Sequence, residues 1–389
     1  MKKKYLREFF IITFLFLFSI VNAQVTIGSD TPPGIGSLLD LKEKADGTST
    51  RGLGMPRVAI TNLTDIKVNI PSVLAGEESA HTGLMVYNIN ENWCLKTPIT
   101  KGLYVWDGSM WENLLSQESR EVTTYKDQDG NNFRARRFGN AGIWMIENLA
   151  AKTYASGVGG GNIPVHAGGQ NTSTEGRAYP QPTSSSGTDW GAVPPTWEKK
   201  HGLLYSWPTA AKGNTSTVDQ GQGAAEENIG VMIQGVCPDG WHLPSDREWN
   251  ELEKEIYNNA GTYSSSSTSS FNPTSWNPAW ETTVGHRGSG SPSGHSTAMK
   301  SECPPTGSTK INGTSKSAAQ GGFASILTGY VDGVTIQSYG ASTFFWSSSS
   351  SETAGGTNAY YRNLYKDTIT IFRSPIRRFY LCAVRCKKN

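Results

Sequence analysis

Apolar residues along this chain fall in short runs broken by glycine, proline and asparagine. Near the N-terminus the runs are Val25-Thr26-Ile27, Leu38-Leu39-Asp40-Leu41, Gly52 to Ile60, Gly83 to Asn88 and Gly102 to Gly108. Such runs between turn-forming residues predict short strands and turns. Trp106-Asp107-Gly108-Ser109-Met110-Trp111 sets a turn between two aromatic strand ends. Further on, Asp129-Gly130 between extended runs is a hairpin signal, and a second turn over Gly139–Gly142 leads into Ile143–Leu149. Past residue 320 the pattern predicts strands near Phe323–Val331, Phe344–Ser348, Ala359–Tyr365, Thr368–Phe372 and Tyr380–Cys386, with a hairpin at Asp332-Gly333.

One helix interrupts this series. Ser245-Asp246-Arg247-Glu248 is a capping box, in which the serine hydroxyl accepts from the third helical N–H and Glu248 reaches back. Trp249, Leu252 and Ile256 follow at helical spacing and predict one buried stripe, with Gly261 as the stop. Glu248, Glu251, Glu253 and Glu255 crowd the same helix and read as a solvated face.

Residues 155–195 and 261–320 are rich in Gly, Ser, Thr and Pro and read as long loops. Trp190, Trp197, Trp276 and Trp280 lie in or beside them. A tryptophan in a polar loop either anchors that loop to the body or offers its face to a ligand. Both readings stay open at this point, so the four are candidate ligand-binding residues.

The first residues hold Lys2, Lys3, Lys4 and Arg7, then an apolar run from Phe9 to Val21, then Val21-Asn22-Ala23. This layout predicts a secretory signal peptide cleaved after Ala23, because the run is short for a bilayer span. Gln24 stands where a lipoprotein would need cysteine. Residues 1–23 carry four basic groups and one acidic one, so the mature chain would sit at −1 rather than +2. Nothing predicts a nucleic-acid partner, which normally needs a basic patch. The expected organisation is a signal peptide (1–23), a β-rich module (24–116), a polar linker (117–122) and a larger domain (123–389).

Two resemblances sharpen this reading. "GLMVYN" and "GLYVWDGSMWENL" make residues 25–115 similar to N-terminal modules of secreted Bacteroidetes proteins and to pieces of phage tail fibres. That likeness implies a stalk or attachment element able to oligomerise. Then "YKDQDGNNF", "IWMIENLA", "GLLYSWPTA", "VCPDGWHLPSDREWNELE", "GGFASILTGY", "FFWSSS" and "LCAVRC" follow in order. Their set and order resemble the Fibrobacter succinogenes major paralogous (FISUMP) domain, of the type found in Bacteroidetes. The resemblance implies an exported protein and a C-type lectin-like fold. In that fold a helix lies near the start of a small twisted sheet, and a cystine joins the helix region to the last strand. The fold class expected is therefore α+β: a lectin-like C-terminal domain with long loop insertions, preceded by a small β-rich domain.

There are five cysteines: Cys94, Cys237, Cys303, Cys382 and Cys386. In an oxidising compartment disulfides are expected. The resemblance pairs Cys237 with Cys386. Cys382 and Cys386 are roughly 13 Å apart along one strand and cannot bond to each other there. Cys303, in a predicted loop, is therefore paired with Cys382. Cys94 is left as a free thiol or a bridge to another chain.

Candidate chemistry is sparse. No two of His81, His166, His201, His242, His286 and His295 lie at metal-ligand spacing on a helix, and neither a Gly-x-Ser-x-Gly nor a phosphate loop occurs. His242, inside "GWHLP", reads as a structural hydrogen-bonding residue. The Glu-Pro-Asn, Gln-Pro-Asp and Trp-Asn-Asp signatures of Ca²⁺-dependent lectins are absent. The expectation is a non-enzymatic, cofactor-free, exported binding or adhesion protein, secreted or at the outer membrane or cell surface, with the periplasm as a further location. Its partner would be a glycan, a surface protein or another envelope component, and its N-terminal module could oligomerise. The alternatives are a structural subunit of a surface appendage and an accessory protein in polysaccharide use.

Overall fold

The computed structural model describes residues 25–389 except 36, 96, 116–118, 183–188, 213–231, 289–293, 310–311 and 352–356. The predicted signal peptide lies outside the described residues. No helix among those described is long and apolar enough to cross a membrane. The chain divides into two compact units. One holds the residues up to Asn90 and Lys101–Leu114, the other Glu91–Thr100 and Leu115–Asn389. The division is thus not a single cut near residue 116, because residues 91–100 belong with the second unit.

In the first unit, β1 (Val25–Ile27) and β2 (Leu39–Leu41) form a two-stranded parallel ribbon. A four-stranded sheet follows in spatial order β3 (Arg57–Val58), β4 (Met85–Asn88), β5 (Gly102–Trp106) and β6 (Trp111–Asn113), with a one-turn helix, α1 (Ile66–Asn69), between β3 and β4. The Asp107-Gly108 turn pairs Trp106 with Trp111, as the sequence predicts, and the rings meet edge-on at 5.5 Å. Val86, Tyr104, Trp106 and Trp111 are buried together with Ile60 and Ile66.

The second unit contains two sheets. The hairpin β7 (Val122–Lys126) and β8 (Asn132–Arg137) turns at Asp127–Asn131, where Gly130 takes a positive φ of 77°. β9 (Ile143–Met145) extends it. A larger sheet begins with β10 (Arg177–Ala178) and β11 (Leu204–Ser206), after which comes α2 (Trp207–Ala210). Then follow β12 (Trp241–His242), α3 (Asp246–Asn258), α4 (Ala260–Tyr263), β13 (Gly285–Arg287) and α5 (His295–Met299). The C-terminal part adds β14 (Tyr330–Val331), β15 (Ile336–Gln337), β16 (Ser342–Ser350), β17 (Asn358–Tyr365), β18 (Ile371–Arg377), β19 (Leu381–Ala383) and β20 (Lys387–Lys388). The small sheet runs β12-β20-β9-β8-β7 and the large one β10-β11-β19-β16-β17-β18-β13, with β14 also on β19.

The predicted capping box is present: Glu248 N–H donates to Ser245 Oγ at 3.3 Å and Ser245 N–H to Glu248 Oε2 at 2.8 Å. Trp249, Leu252 and Ile256 are fully buried. Trp249 meets Trp144 of β9 edge-on at 5.1 Å and Phe345 of β16 at 5.5 Å, so α3 packs against both sheets. Each such side chain withdraws roughly 1.5–3 kcal/mol worth of apolar surface from water.

Several expectations need correction. Gly261 does not stop α3, which is capped at Asn259, and Gly261 lies inside α4. Residues 261–320 are not simply a long loop. Phe271, Trp276 and all of α5 are buried, and β13 forms the edge of the large sheet beside β18. A few apolar anchors suffice to hold a Ser/Thr-rich stretch against the body. Likewise Ile163, Tyr179 and Trp190 tether residues 155–195, and β10 there joins β11. Phe323–Gly329 is buried but not a strand. Ala324 has φ 48°, and the Phe323 and Ala324 carbonyls accept from the Arg385 guanidinium instead of a ladder.

Cys237 and Cys386 are bonded, joining the segment before β12 to the segment before β20. The second predicted bridge is wrong. Cys303 is bonded to Cys94, with Cα atoms 5.1 Å apart, and Cys382 is a buried free thiol. Cys382 sits mid-sheet on β19 opposite Tyr205, fully covered, while Cys303 lies in a partly exposed loop. The chain then leaves the large sheet after Ala383 and enters the small one at Lys387, so Cys382 and Cys386 do not share a strand.

Candidate ligand-binding face

Two adjoining clefts lie on the second unit, and three residues line both: Arg134, Glu147 and Lys200. The first, about 230 Å³, is polar, walled by Thr124, Asp127, Asn131, Asn132, Asn148 and Lys199, with Phe133, Leu149 and Ala150 beneath. The second, about 140 Å³, is mainly apolar, walled by Trp93, Leu95, Pro98, Ile146, Ala318 and Ile326, with Cys303 at its border.

Sheet register builds the ridge between them. Ile146 N–H donates to Arg134 O across β8 and the end of β9. Glu147 then accepts from Arg134 N–H at 2.9 Å and from its Nη1 at 2.9 Å. The ridge is thus an ion pair clamped onto a strand. Asp127 accepts from the backbone N–H groups of Asp129 and Asn131 and from the Asn131 amide, which fixes the hairpin turn. Burial raises its pKa against those hydrogen bonds. Asn148 donates to His201 O at 3.1 Å and accepts from Arg385 Nε at 2.9 Å. Arg385 is fully buried behind the polar cleft, and burial lowers its pKa to about 9, with Glu147 opposing that shift. Lys199 is exposed at the rim, and Lys200 pairs with Glu198 at 3.0 Å. Of the cations lining this face, Arg134 is paired with Glu147 and Lys200 with Glu198, and Lys199 stands exposed at the rim of the polar cleft.

None of the four tryptophans predicted as contacts lines either cleft. Trp190 and Trp276 are core residues, each 7 % exposed. Trp190 lies edge-on to His166, and Trp276 donates to Glu281 Oε1 at 3.0 Å. Trp280 is half-buried against Trp276 and Tyr257. Trp197 is half-buried, donates to Gly202 O at 2.8 Å and packs edge-on against Tyr179. All four tie loops to the body. Trp93 is the tryptophan at a cleft. Its place in the sequence gave no sign of this, because it lies inside what reads as the N-terminal module.

The acidic face predicted for α3 is also divided differently. Glu253 and Asp246 are completely buried among Arg287, Arg362 and Arg373. Glu253 accepts from Arg287 Nη1 (2.8 Å), Arg362 Nε (2.5 Å) and His295 Nε2 (3.2 Å). Asp246 accepts from Arg362 Nη1 (2.6 Å) and Arg373 Nε (3.0 Å). Burial opposes ionisation of Glu253, but Arg287 and Arg362 hold its pKa far below the usual carboxylate range. Asp246, Asn250 and Glu253 recur at i, i+4, i+7 on the shoulder of the apolar stripe, a pattern visible in the sequence. Their burial depends on three arginines from distant strands. Glu248 faces a second network, accepting from His242 Nε2 at 2.9 Å and Lys387 Nζ at 2.9 Å, while His242 Nδ1 contacts Asn389 Oδ1 at 2.7 Å. His242 is structural, as expected.

Among the described residues, one group of metal-ligating side chains converges, Cys94, Glu302 and Cys303, and its two sulfurs are already bonded to each other.

Residues 139–388 match the family model of the Fibrobacter succinogenes major domain. The chain belongs to this family. Residues 26–128 match a phage tail like trimerisation region. Comparison with curated proteins and with solved structures returns no match. For this member of the Fibrobacter succinogenes major domain family, the described residues form a β-rich protein of mixed sheets with few helices. It carries disulfides at Cys94–Cys303 and Cys237–Cys386.

Proposed function

We propose that this chain is an exported, non-catalytic binding protein of the cell surface or secreted space, whose second unit is a C-type lectin-like head that recognises glycan. The observation that carries the reading is the pair of clefts sharing the Arg134–Glu147 ridge. A polar cleft rich in amide and charged groups suits hydroxyl-bearing rings, and an adjoining apolar pocket with one tryptophan suits a substituent or a second ring. The exposed Lys199 at the rim favours a glycan carrying carboxylates. A helix packed between two sheets, with a cystine from its N-terminal flank to the C-terminus, supports the lectin-like assignment. The likeness of residues 26–128 to a trimerisation region supports assembly through the first unit, which would multiply weak single-site affinity. That same likeness favours, as a second reading, a subunit of a surface appendage.

The test is titration of the oxidised chain from Gln24 onward against neutral and acidic glycans, with Ca²⁺ or with chelator. Saturable binding independent of Ca²⁺ is expected. Thr124→Glu or Lys199→Glu, both at exposed positions, should weaken it at least tenfold. Absence of saturable binding to every glycan would overturn the glycan form of the proposal.

A further inference from the structure

The ribbon of β1 and β2 is built inside out for a single chain. Its register places Val25 opposite Leu39 and Ile27 opposite Leu41, so four apolar side chains share one face. Those four are 48 %, 53 %, 57 % and 43 % exposed in the order Val25, Leu39, Ile27, Leu41. The other face carries Thr26 and Asp40, which are the more sheltered residues of each strand. Asp40 accepts from Gly34 N–H and pairs with Lys42 at 3.0 Å, closing the polar side on its own loop. From residue 25 to residue 59 no described residue is buried, although Ile35, Leu38 and Leu53 are also present. A two-stranded ribbon with no cover is marginal in water, and an apolar face of this kind marks an interaction surface.

We infer that this apolar face is the seam along which copies of this chain assemble, each ribbon covering the same ribbon of its neighbours about a rotation axis. The inference rests on the oligomeric reading above and names its surface. A second copy is the occupant because the face is self-complementary: aliphatic residues only, in matched pairs, with no charge awaiting a counter-charge. The ribbon also lies within the stretch similar to a trimerisation region. Burying an exposed apolar face against its symmetry mates is the common route to a closed homo-oligomer.

The experiment uses the chain from Gln24 onward, with its disulfides formed, by light scattering and mass photometry without lipid or other protein. The parent is expected at the mass of three chains and Ile27→Asp/Leu41→Asp at the mass of one. The urea transition of the second unit should not move in that variant. Because the charged variant could unfold the ribbon, Val25→Thr/Ile27→Thr/Leu39→Thr/Leu41→Thr keeps strand-forming residues and should also dissociate. In addition, Ile27→Cys should form a covalent bond between copies on mild oxidation. A monomeric parent overturns the oligomeric reading together with the seam. A trimeric parent whose variants stay trimeric, with no cross-link through Ile27→Cys, overturns the seam alone.

Discussion

Glu253→Gln tests how the second unit is held together. There Glu253 is fully buried and takes hydrogen bonds from Arg287, Arg362 and His295. Hydrogen bonds to a charged group contribute about 1.5–3 kcal/mol each. Glutamine keeps one acceptor oxygen but leaves the guanidinium groups of Arg287 and Arg362 buried with less compensating charge. Breaking a buried pair in this way costs roughly 3–5 kcal/mol. At about 2–4 °C per kcal/mol for a domain of this order, the thermal midpoint should fall by roughly 6–20 °C. Glu251, on the same helix, is a half-exposed partner of Arg247 at 3.6 Å, and Glu251→Gln should change stability by less than about 0.5 kcal/mol. The assay is unfolding of the oxidised chain by heat and by urea, followed by tryptophan fluorescence, with urea midpoints compared at unchanged slope. The effect should depend on pH with a definite sign. The pKa of Glu253 is depressed on folding, so its contribution is full above the unfolded value of 4.5 and fades as pH falls below it. The gap between parent and variant should therefore shrink on acidification from pH 4.5. If both glutamine variants cost the same within about 1 kcal/mol, the reasoning fails.

Two further predictions concern the second unit. His201 is buried, and burial lowers its pKa from 6.5 to about 4 against the attraction of Glu198, so the folded state binds fewer protons than the unfolded one in that window. Its stabilising contribution is complete above pH 6.5 and should be lost progressively down to pH 4, by up to about 3 kcal/mol. His201→Gln should flatten that part of the stability profile, and an unchanged slope would refute the assignment. The thiol pattern is the other: native oxidised protein should show no titratable thiol and one in denaturant, Cys382, since its thiol is fully buried and burial pushes its pKa up. Peptide mapping should give Cys94–Cys303 and Cys237–Cys386, and a Cys303–Cys382 peptide would contradict the structure. Cys237–Cys386, with a sequence separation of 149, stabilises the second unit by roughly 5 kcal/mol in the chain-entropy picture.

The sequence by itself determined what local rules control. The capping box of α3, its buried stripe, and the turns at Asp129-Gly130, Asp107-Gly108 and Asp332-Gly333 all follow from neighbours within a few residues. The family motifs did the same for membership and for the Cys237–Cys386 bridge. What it left undecided concerns partners far apart in the chain. Which acidic residues of α3 are buried depends on arginines more than thirty residues away along the chain, on β13 and β17 for Glu253 and on β17 and β18 for Asp246. Cys303 bonds to Cys94 across a separation of 209 residues, which no spacing rule reaches. The long polar stretches looked like loops because composition averages over them, yet a few apolar anchors such as Phe271, Trp276 and Tyr179 fix them to the body. The clefts are the extreme case. Arg134 and Glu147 meet through strand register, and Trp93 and Lys200 arrive from other segments. Such a site exists only once the sheets have formed, so the tertiary structure alone decides it.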